Sequence, residues 1–230
     1  MVERVATGIP GFDKSIQGGL LKGSSNLIVG GPGSGKSIFC MQFLVNGAKA
    51  GEPGLYVSFE EDEQQLVQNL SPFSWGLEDL AKQGKLVLKY FTPEHIDIFI
   101  KSSMDPLLDV VRQYNVRRVV IDSATAYQMM FDTDYKKRVH LLKLLDALKK
   151  YEATVLITTE RGTSADEFEL MDFLANGVIV LYNIRKGSER GRGIEILKMR
   201  STKHSQRIMP MDIGSSGITV YPDASFYSDV

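Results

Sequence analysis

Short apolar runs alternate with longer amphipathic stretches along this chain, and glycines mark many of the joints. Asn26-Leu27-Ile28-Val29 is apolar and runs into glycines, and Ser37 to Ala50 reads as the helix that follows. Gly54 to Phe59 predicts a second strand, then the acidic run Glu60-Glu61-Asp62-Glu63 and a helical segment to about Leu70. Leu86 to Tyr90 predicts a third strand, Ser103 to Tyr114 a helix, and Arg118 to Asp122 a fourth strand. The clearest helix spans Asp134 to Tyr151. There Leu141, Leu142, Leu145 and Leu148 form the expected apolar face, with lysines on the other. Ala153 to Thr158 predicts the fifth strand. Strands that are nearly all apolar and alternate with helices imply a parallel sheet covered on both faces.

The last third changes character. Gly177 to Ile184 is an apolar run, Lys186 to Gly193 reads as a glycine-rich charged turn, and Ile194 to Arg200 returns as a strand. Gln206 to Asp212 and Gly217 to Tyr221 read as another pair. The expected fold is therefore α/β: a mostly parallel central sheet flanked by helices, with antiparallel C-terminal hairpins, in one domain over residues 1–230.

Composition narrows the function more than the fold. The net charge is -1, which gives no electrostatic case for a dedicated nucleic-acid binder, so nucleic acid is not an expected partner. Cys40 is the single cysteine; no intrachain disulfide can form, and a reducing compartment follows. Flanked by Phe39 and Met41, Cys40 reads as a small buried hydrophobe rather than a nucleophile. No stretch approaches the roughly 20 apolar residues of a membrane span, and Met-Val-Glu-Arg opens without a signal-peptide core. A soluble cytoplasmic protein is expected. The three histidines and Cys40 show no metal-ligand spacing. Trp75 and Met129-Met130-Phe131 read as core or interface contacts.

One motif carries chemistry on its own. Gly30-Gly31-Pro32-Gly33-Ser34-Gly35-Lys36-Ser37 fits the phosphate-loop spacing and lies between a predicted strand and a predicted helix. Glycines let successive backbone amides converge on an anion, and the following helix adds its positive end. Lys36 then reaches the β- and γ-phosphates, while Ser37 takes a place on Mg²⁺. Asp122 ends a buried strand at the mouth of the sheet, the position of a second metal-side carboxylate; helix capping is the competing role. Glu60 and Glu61 also follow a strand. One of them is expected to orient and deprotonate the attacking water, against a plain helix-dipole role. Thr159 and Glu160 either sense the γ-phosphate or form a strand-to-loop turn.

Taken in order, Thr7 to Asp13, Gly18-Gly19-Leu20, the phosphate loop, Phe59-Glu60-Glu61, Val120-Ile121-Asp122-Ser123 and Thr158 to Arg161 resemble a KaiC-type domain of the RecA-like ATPases. The likeness continues through Leu197 to His204 and Tyr221-Pro222, nearly the whole chain. It implies a slow ATP hydrolase that forms a homo-oligomeric ring, usually a hexamer, with Mg²⁺-ATP held between neighbouring subunits. It also implies that Gly31, Pro32, Gly33, Ser34, Gly35, Lys36, Ser37 and Ile38 hold the nucleotide, with Ser37 and Asp122 at the metal and Glu60 and Glu61 as the catalytic pair. Lys198 and Arg200 would reach the neighbour's γ-phosphate, with Thr202, His204 and Asp212 near its nucleotide. Residues 198 and 200 stand two apart, so both cations leave one face while Leu197 and Met199 face the other way. A basic solvent face on an edge strand is the competing role.

Departures from the family pattern limit what carries over. KaiC proper has two such domains in tandem, the family's serine near the base falls at Pro72 beside Ser71, and no phosphoacceptor Ser-Thr pair is matched. No autophosphorylation or clock role is expected. Two other functions compete: a recombinase-like DNA-dependent ATPase, and a switch that binds ATP with little hydrolysis. Asp166, Glu167 and Glu169 make the stretch after Arg161 acidic, against DNA.

Overall fold

Every residue from Ser25 to Gly30 is buried, as a strand covered on both faces must be. The computed structural model describes residues 2–92, 105–129, 131–161 and 170–226. A short ribbon of β1 (Arg4–Val5) and β2 (Leu20–Leu21) precedes the main sheet. β3 (Ser25–Gly30) leads into α1 (Lys36–Lys49), and β4 (Gly54–Ser58) into α2 (Glu63–Leu70) and α3 (Leu77–Lys82). β5 (Leu86–Tyr90) and α4 (Asp105–Gln113) come next, then β6 (Arg118–Asp122), α5 (Ala124–Gln128) and α6 (Asp134–Lys149). β7 (Thr154–Thr159), α7 (Leu170–Leu174), β8 (Gly177–Lys186), β9 (Glu189–Met199), β10 (Met209–Gly214) and β11 (Gly217–Val220) complete the described chain.

Among the described residues the main sheet has nine strands, in the order β11-β10-β9-β8-β3-β7-β6-β4-β5. β8, β3, β7, β6, β4 and β5 run parallel, and β9, β10 and β11 add antiparallel pairings at one edge, as the pattern predicts. Side chains alternate between two cores. Ile28, Tyr56, Val120 and Leu156 pack on the face covered by α1 to α3, while Leu27, Val57, Ile121 and Ile157 pack on the face covered by α4 and α6. On β4, β6 and β7, therefore, even-numbered positions face α1. Arg118 obeys that parity although charged. It is 3% exposed and satisfied by Glu52 and by the carbonyls of Ala6 and Phe43.

Three expectations are corrected. Leu142 is exposed and Leu144 is buried in its place, because the inner face of α6 repeats at i, i+3, i+4 and i+7: Leu141, Leu144, Leu145 and Leu148. The stretch from Lys186 to Gly193 is mostly strand. The turn is only Gly187-Ser188, with Gly187 at φ 58°, closing Lys186 onto Glu189. Leu197 and Met199 do not share a face. The β8–β9 register shifts opposite Val178 and Ile179, leaving Leu197 as the extra residue. Leu197 packs with the α4 and α6 core, and Met199 with the α1 core.

Cys40, Trp75 and Phe131 are buried as expected, but Met129 is exposed. Ser103, Met130, Asp166, Glu167 and Glu169 lie outside the described residues. Among the described residues, no helix is long and apolar enough to cross a membrane.

Candidate functional site

The loop from Gly30 to Gly35 turns on backbone angles that side chains rarely adopt, with Gly33 at φ 70° and Gly35 at φ 100°. A Cβ on Gly30 would lie 2.5 Å from Ser34 Oγ and 2.6 Å from the Leu181 carbonyl, so the loop closes tightly on β8 only with glycine there. The helix behind it begins without a side-chain cap, as α3 does at Gly76, but unlike α3 it has no acidic residue in its first turn. Asp62 caps α2, Ser123 caps α5 and Thr133 caps α6 through their side chains, whereas Gly35 offers α1 none. Its first amides thus keep their donors for an anion, reinforced by the positive end of a 14-residue helix. Lys36 Nζ donates to the Gly30 and Gly31 carbonyls at 2.8 and 3.2 Å, which holds the ammonium over the loop. Gly33 to Ile38, with Arg192 and Ile213, line an open cleft of about 440 Å³.

At the floor of this loop lies a network of hydroxyls and one carboxylate. Ser37 Oγ, at the start of α1, donates to Asp122 Oδ2 at 2.9 Å. Tyr56 OH donates to the same oxygen, and Thr158 Oγ1 donates to Asp122 Oδ1 at 2.5 Å. All three strand residues are even-numbered and so face α1. Burial pushes the Tyr56 phenol well above its ordinary pKa, and the Asp122 carboxylate pushes it further, so it remains a donor. Burial likewise raises the Cys40 thiol, with Asp122 adding and Lys36 opposing, and the thiol is inert beside this network.

Beyond Asp122 the two acids after β4 take different directions. Glu60 Oε1 accepts from Ser123 Oγ at 2.5 Å, which ties it to the residue next to Asp122. Glu61 Oε2 instead accepts from Asn69 Nδ2 of α2 at 3.1 Å. Ser58 Oγ accepts from both their amides, at 3.3 and 2.9 Å, and so fixes the turn that separates them. Nearby, Thr125 and Thr159 hydroxyls lie 3.4 Å apart, and the Glu160 amide donates to Thr125 Oγ1.

The remaining sequence-derived candidates stand elsewhere. Val178, opposite Lys198, is level with Leu27, three residues short of Gly30 and thus about 10 Å back along the sheet. Lys198 Nζ donates to the Asp172 and Ala175 carbonyls at 2.7 and 2.8 Å, and Arg200 Nη2 to the Phe173 carbonyl at 2.9 Å. Both cations therefore hold the end of α7, on one face as expected. Desolvation lowers the Lys198 pKa, with repulsion from Arg200 adding to it. Thr202 Oγ1 accepts from Arg4 of the N-terminal ribbon, and His204 Nδ1 lies 2.9 Å from the Ser205 carbonyl. Asp212 is exposed on β10, next to Ile213 of the cleft.

Tyr56, Thr158, Ser123 and Arg192 were assigned no site role from sequence, although Ser123 and Thr158 stand in motifs that carry the resemblance. Parity relative to Asp122 could have found Thr158 and Tyr56, had the strand order been known. Arg192 lies in the run taken for a turn. Among the described residues no three His, Cys, Asp or Glu side chains gather to hold a metal by themselves. Ser37 and Asp122 fit instead the sparse oxygen set of Mg²⁺, which takes much of its shell from phosphates and water.

The sequence profile of the KaiC ATPase family matches residues 5–225. The circadian clock oscillator protein KaiC of Parasynechococcus marenigrum is 36% identical over 232 residues, which covers 96% of this chain and 45% of that one. The protein of the same name from Nostoc sp. is 34% identical, covering 96% and 44%. The chain thus spans less than half the length of these curated relatives. The crystal structure of a KaiC-like protein from the archaeon Pyrococcus horikoshii superposes with a TM-score of 0.86 at 38% identity, covering 96% of this chain and all of that one. The chain belongs to the KaiC ATPase family of RecA-like P-loop proteins.

Proposed function

We propose that this chain is a single KaiC-type domain, cytoplasmic, that binds Mg²⁺-ATP and hydrolyses it at the interfaces of a homo-oligomeric ring, a hexamer by analogy with the family. The observation that carries the reading is the Ser37 hydroxyl resting on the Asp122 carboxylate directly behind an uncapped, glycine-built helix start. The loop amides and Lys36 bind the phosphate tail, with Ile38 at the edge of the cleft. When bound, Mg²⁺ neutralises charge on the β- and γ-phosphate oxygens. Glu60 orients the attacking water and takes its proton, since Ser123 ties it to the Asp122 side of the site. Glu61, held by Asn69, keeps the turn in place.

Lys198 and Arg200 complete the scheme from a neighbouring subunit. Their distance from the chain's own loop favours this over a role in cis, and the α7 carbonyls pre-orient them. Thr202 and His204 follow on the same segment and would border the neighbour's nucleotide, as would Asp212. The net charge of -1 favours this ATPase over a DNA-dependent motor.

The deciding experiment replaces Lys36 with Ala. The variant is expected to lose ATP affinity by about 100-fold or more in a binding titration, the scale of several kcal/mol for a desolvated ion contact. Undiminished affinity would refute the site. Molar mass in solution, with and without ATP and Mg²⁺, tests the ring: a monomer that still turns over ATP would remove Lys198 and Arg200 from the mechanism.

A further inference from the structure

A tyrosine in the middle of a buried parallel strand is an expensive choice unless its hydroxyl finds a partner. Tyr56 is 1% exposed on β4, among Ile28, Leu156 and the apolar side chains of α1. The strand register explains what its hydroxyl meets. Tyr56 is level with Val120 and Ser58 with Asp122, so the ring starts two residues, about 6.6 Å, behind the carboxylate and on the same face of the sheet. The phenol spans that offset and donates to Asp122 Oδ2.

We propose that Tyr56 is a positioning residue for the metal ion, its hydroxyl fixing the Asp122 carboxylate from inside the core so that the carboxylate presents its remaining acceptor site to the metal's shell. The inference rests on the nucleotide reading above and adds a residue to it. A carboxylate has about four acceptor sites. Ser37 and Tyr56 take two on Oδ2 and Thr158 takes one on Oδ1, which leaves one for a metal-bound water. Of the three donors, Ser37 is itself committed to the metal. Tyr56 and Thr158 are the donors that stay with the sheet, one on each oxygen, and together they set the plane of the carboxylate. A ligand group held by such outer partners loses affinity for its metal when they are removed.

Tyr56→Phe tests this, because the ring and its packing remain and only the hydroxyl goes. The measurement is the affinity of the purified protein for a fluorescent ATP analogue as MgCl₂ is titrated, with a parallel series in EDTA. The Mg²⁺ concentration for half-maximal gain in affinity should rise about ten- to a hundredfold, the range for losing an outer partner of a metal-side ligand. Affinity in EDTA should stay within about twofold of the parent. In an Asp122→Asn background, Tyr56→Phe should add nothing to the Mg²⁺ requirement, since both changes act through one group.

A parent-like Mg²⁺ requirement in Tyr56→Phe would overturn the proposal, leaving Tyr56 as core filling. Equal weakening with and without Mg²⁺ would overturn it too, because that pattern belongs to packing. A parent protein whose nucleotide affinity ignores Mg²⁺ would instead mark the failure of the underlying nucleotide reading.

Discussion

Where β3, β4, β6 and β7 finish, the chain ties its own charges together: Ser37, Tyr56 and Thr158 donate to Asp122, and Ser123 donates to Glu60. Further back along the sheet, the side chains of Lys198 and Arg200 donate to the main-chain carbonyls of Asp172, Phe173 and Ala175, in and just after α7. The first cluster is chemically complete within one subunit apart from its ligand. The second has cations in a fixed pose and no phosphate of its own within reach. Under the proposed scheme the contrast separates two kinds of group: those acting in cis converge on one another, whereas Lys198 and Arg200 are held by backbone carbonyls until a neighbour's nucleotide arrives.

The sharpest break of this contrast lies at the acids. Glu60→Gln should lower ATP turnover by about 10³-fold, within the range for a positioned general base, while Glu61→Gln should cost about tenfold. Single-turnover hydrolysis measures both, and equal losses would mean that Ser123 does not select between them. Arg200→Ala comes next, with a loss of about 10²-fold in turnover and ATP affinity near the parent's. The trans geometry is sharpened by mixing Arg200→Ala with Lys36→Ala subunits. The mixture should exceed either variant alone, because some interfaces then join an intact loop to an intact Arg200. A mixture no better than its parts would place Arg200 in cis or outside the reaction.

The smallest effect lies away from both clusters. His140 stacks on Phe131 with centroids 4.4 Å apart, and desolvation, then Lys143 and Lys136, lower its pKa below 6.5. A depressed histidine binds fewer protons folded than unfolded, so it costs stability as pH falls through 6.5 and costs none above. The melting temperature of His140→Phe, relative to the parent, should therefore rise as pH drops from about 7.5 to 5.5. A constant difference across that interval would show that His140 does not titrate differently on folding.

Much of the fold was legible because its signals are local. Strands β5 and β6 match their apolar runs residue for residue, Leu86–Tyr90 and Arg118–Asp122. The helices α3, α5 and α7 went unseen, since five or six residues are too few for a 3.6-residue period to show. On α6 one member of the apolar face was misjudged, Leu142 for Leu144, two positions on. The hairpin at Gly187 was misjudged for a different reason: its charged strands Arg190 to Gly193 carry no apolar alternation, so only pairing with β8 reveals them.

Taken alone, the sequence determined the phosphate loop, the helix behind it, the carboxylate at the end of β6 and the apolar strands between them. Each of these depends on neighbours in the chain: glycine angles, strand alternation, a hydroxyl placed one residue after a lysine. Only the tertiary structure decided that β4 and β7 flank β6, which brings Tyr56 and Thr158 to Asp122 from two sides. It also decided that a register shift at Leu197 turns Lys198 onto α7. Strand order and register arise from packing between segments that lie 30 or more residues apart, here Tyr56 and Thr158 against Asp122. No local pattern encodes such a choice, because the same apolar strand can pair equally well with several others until the helices close over them.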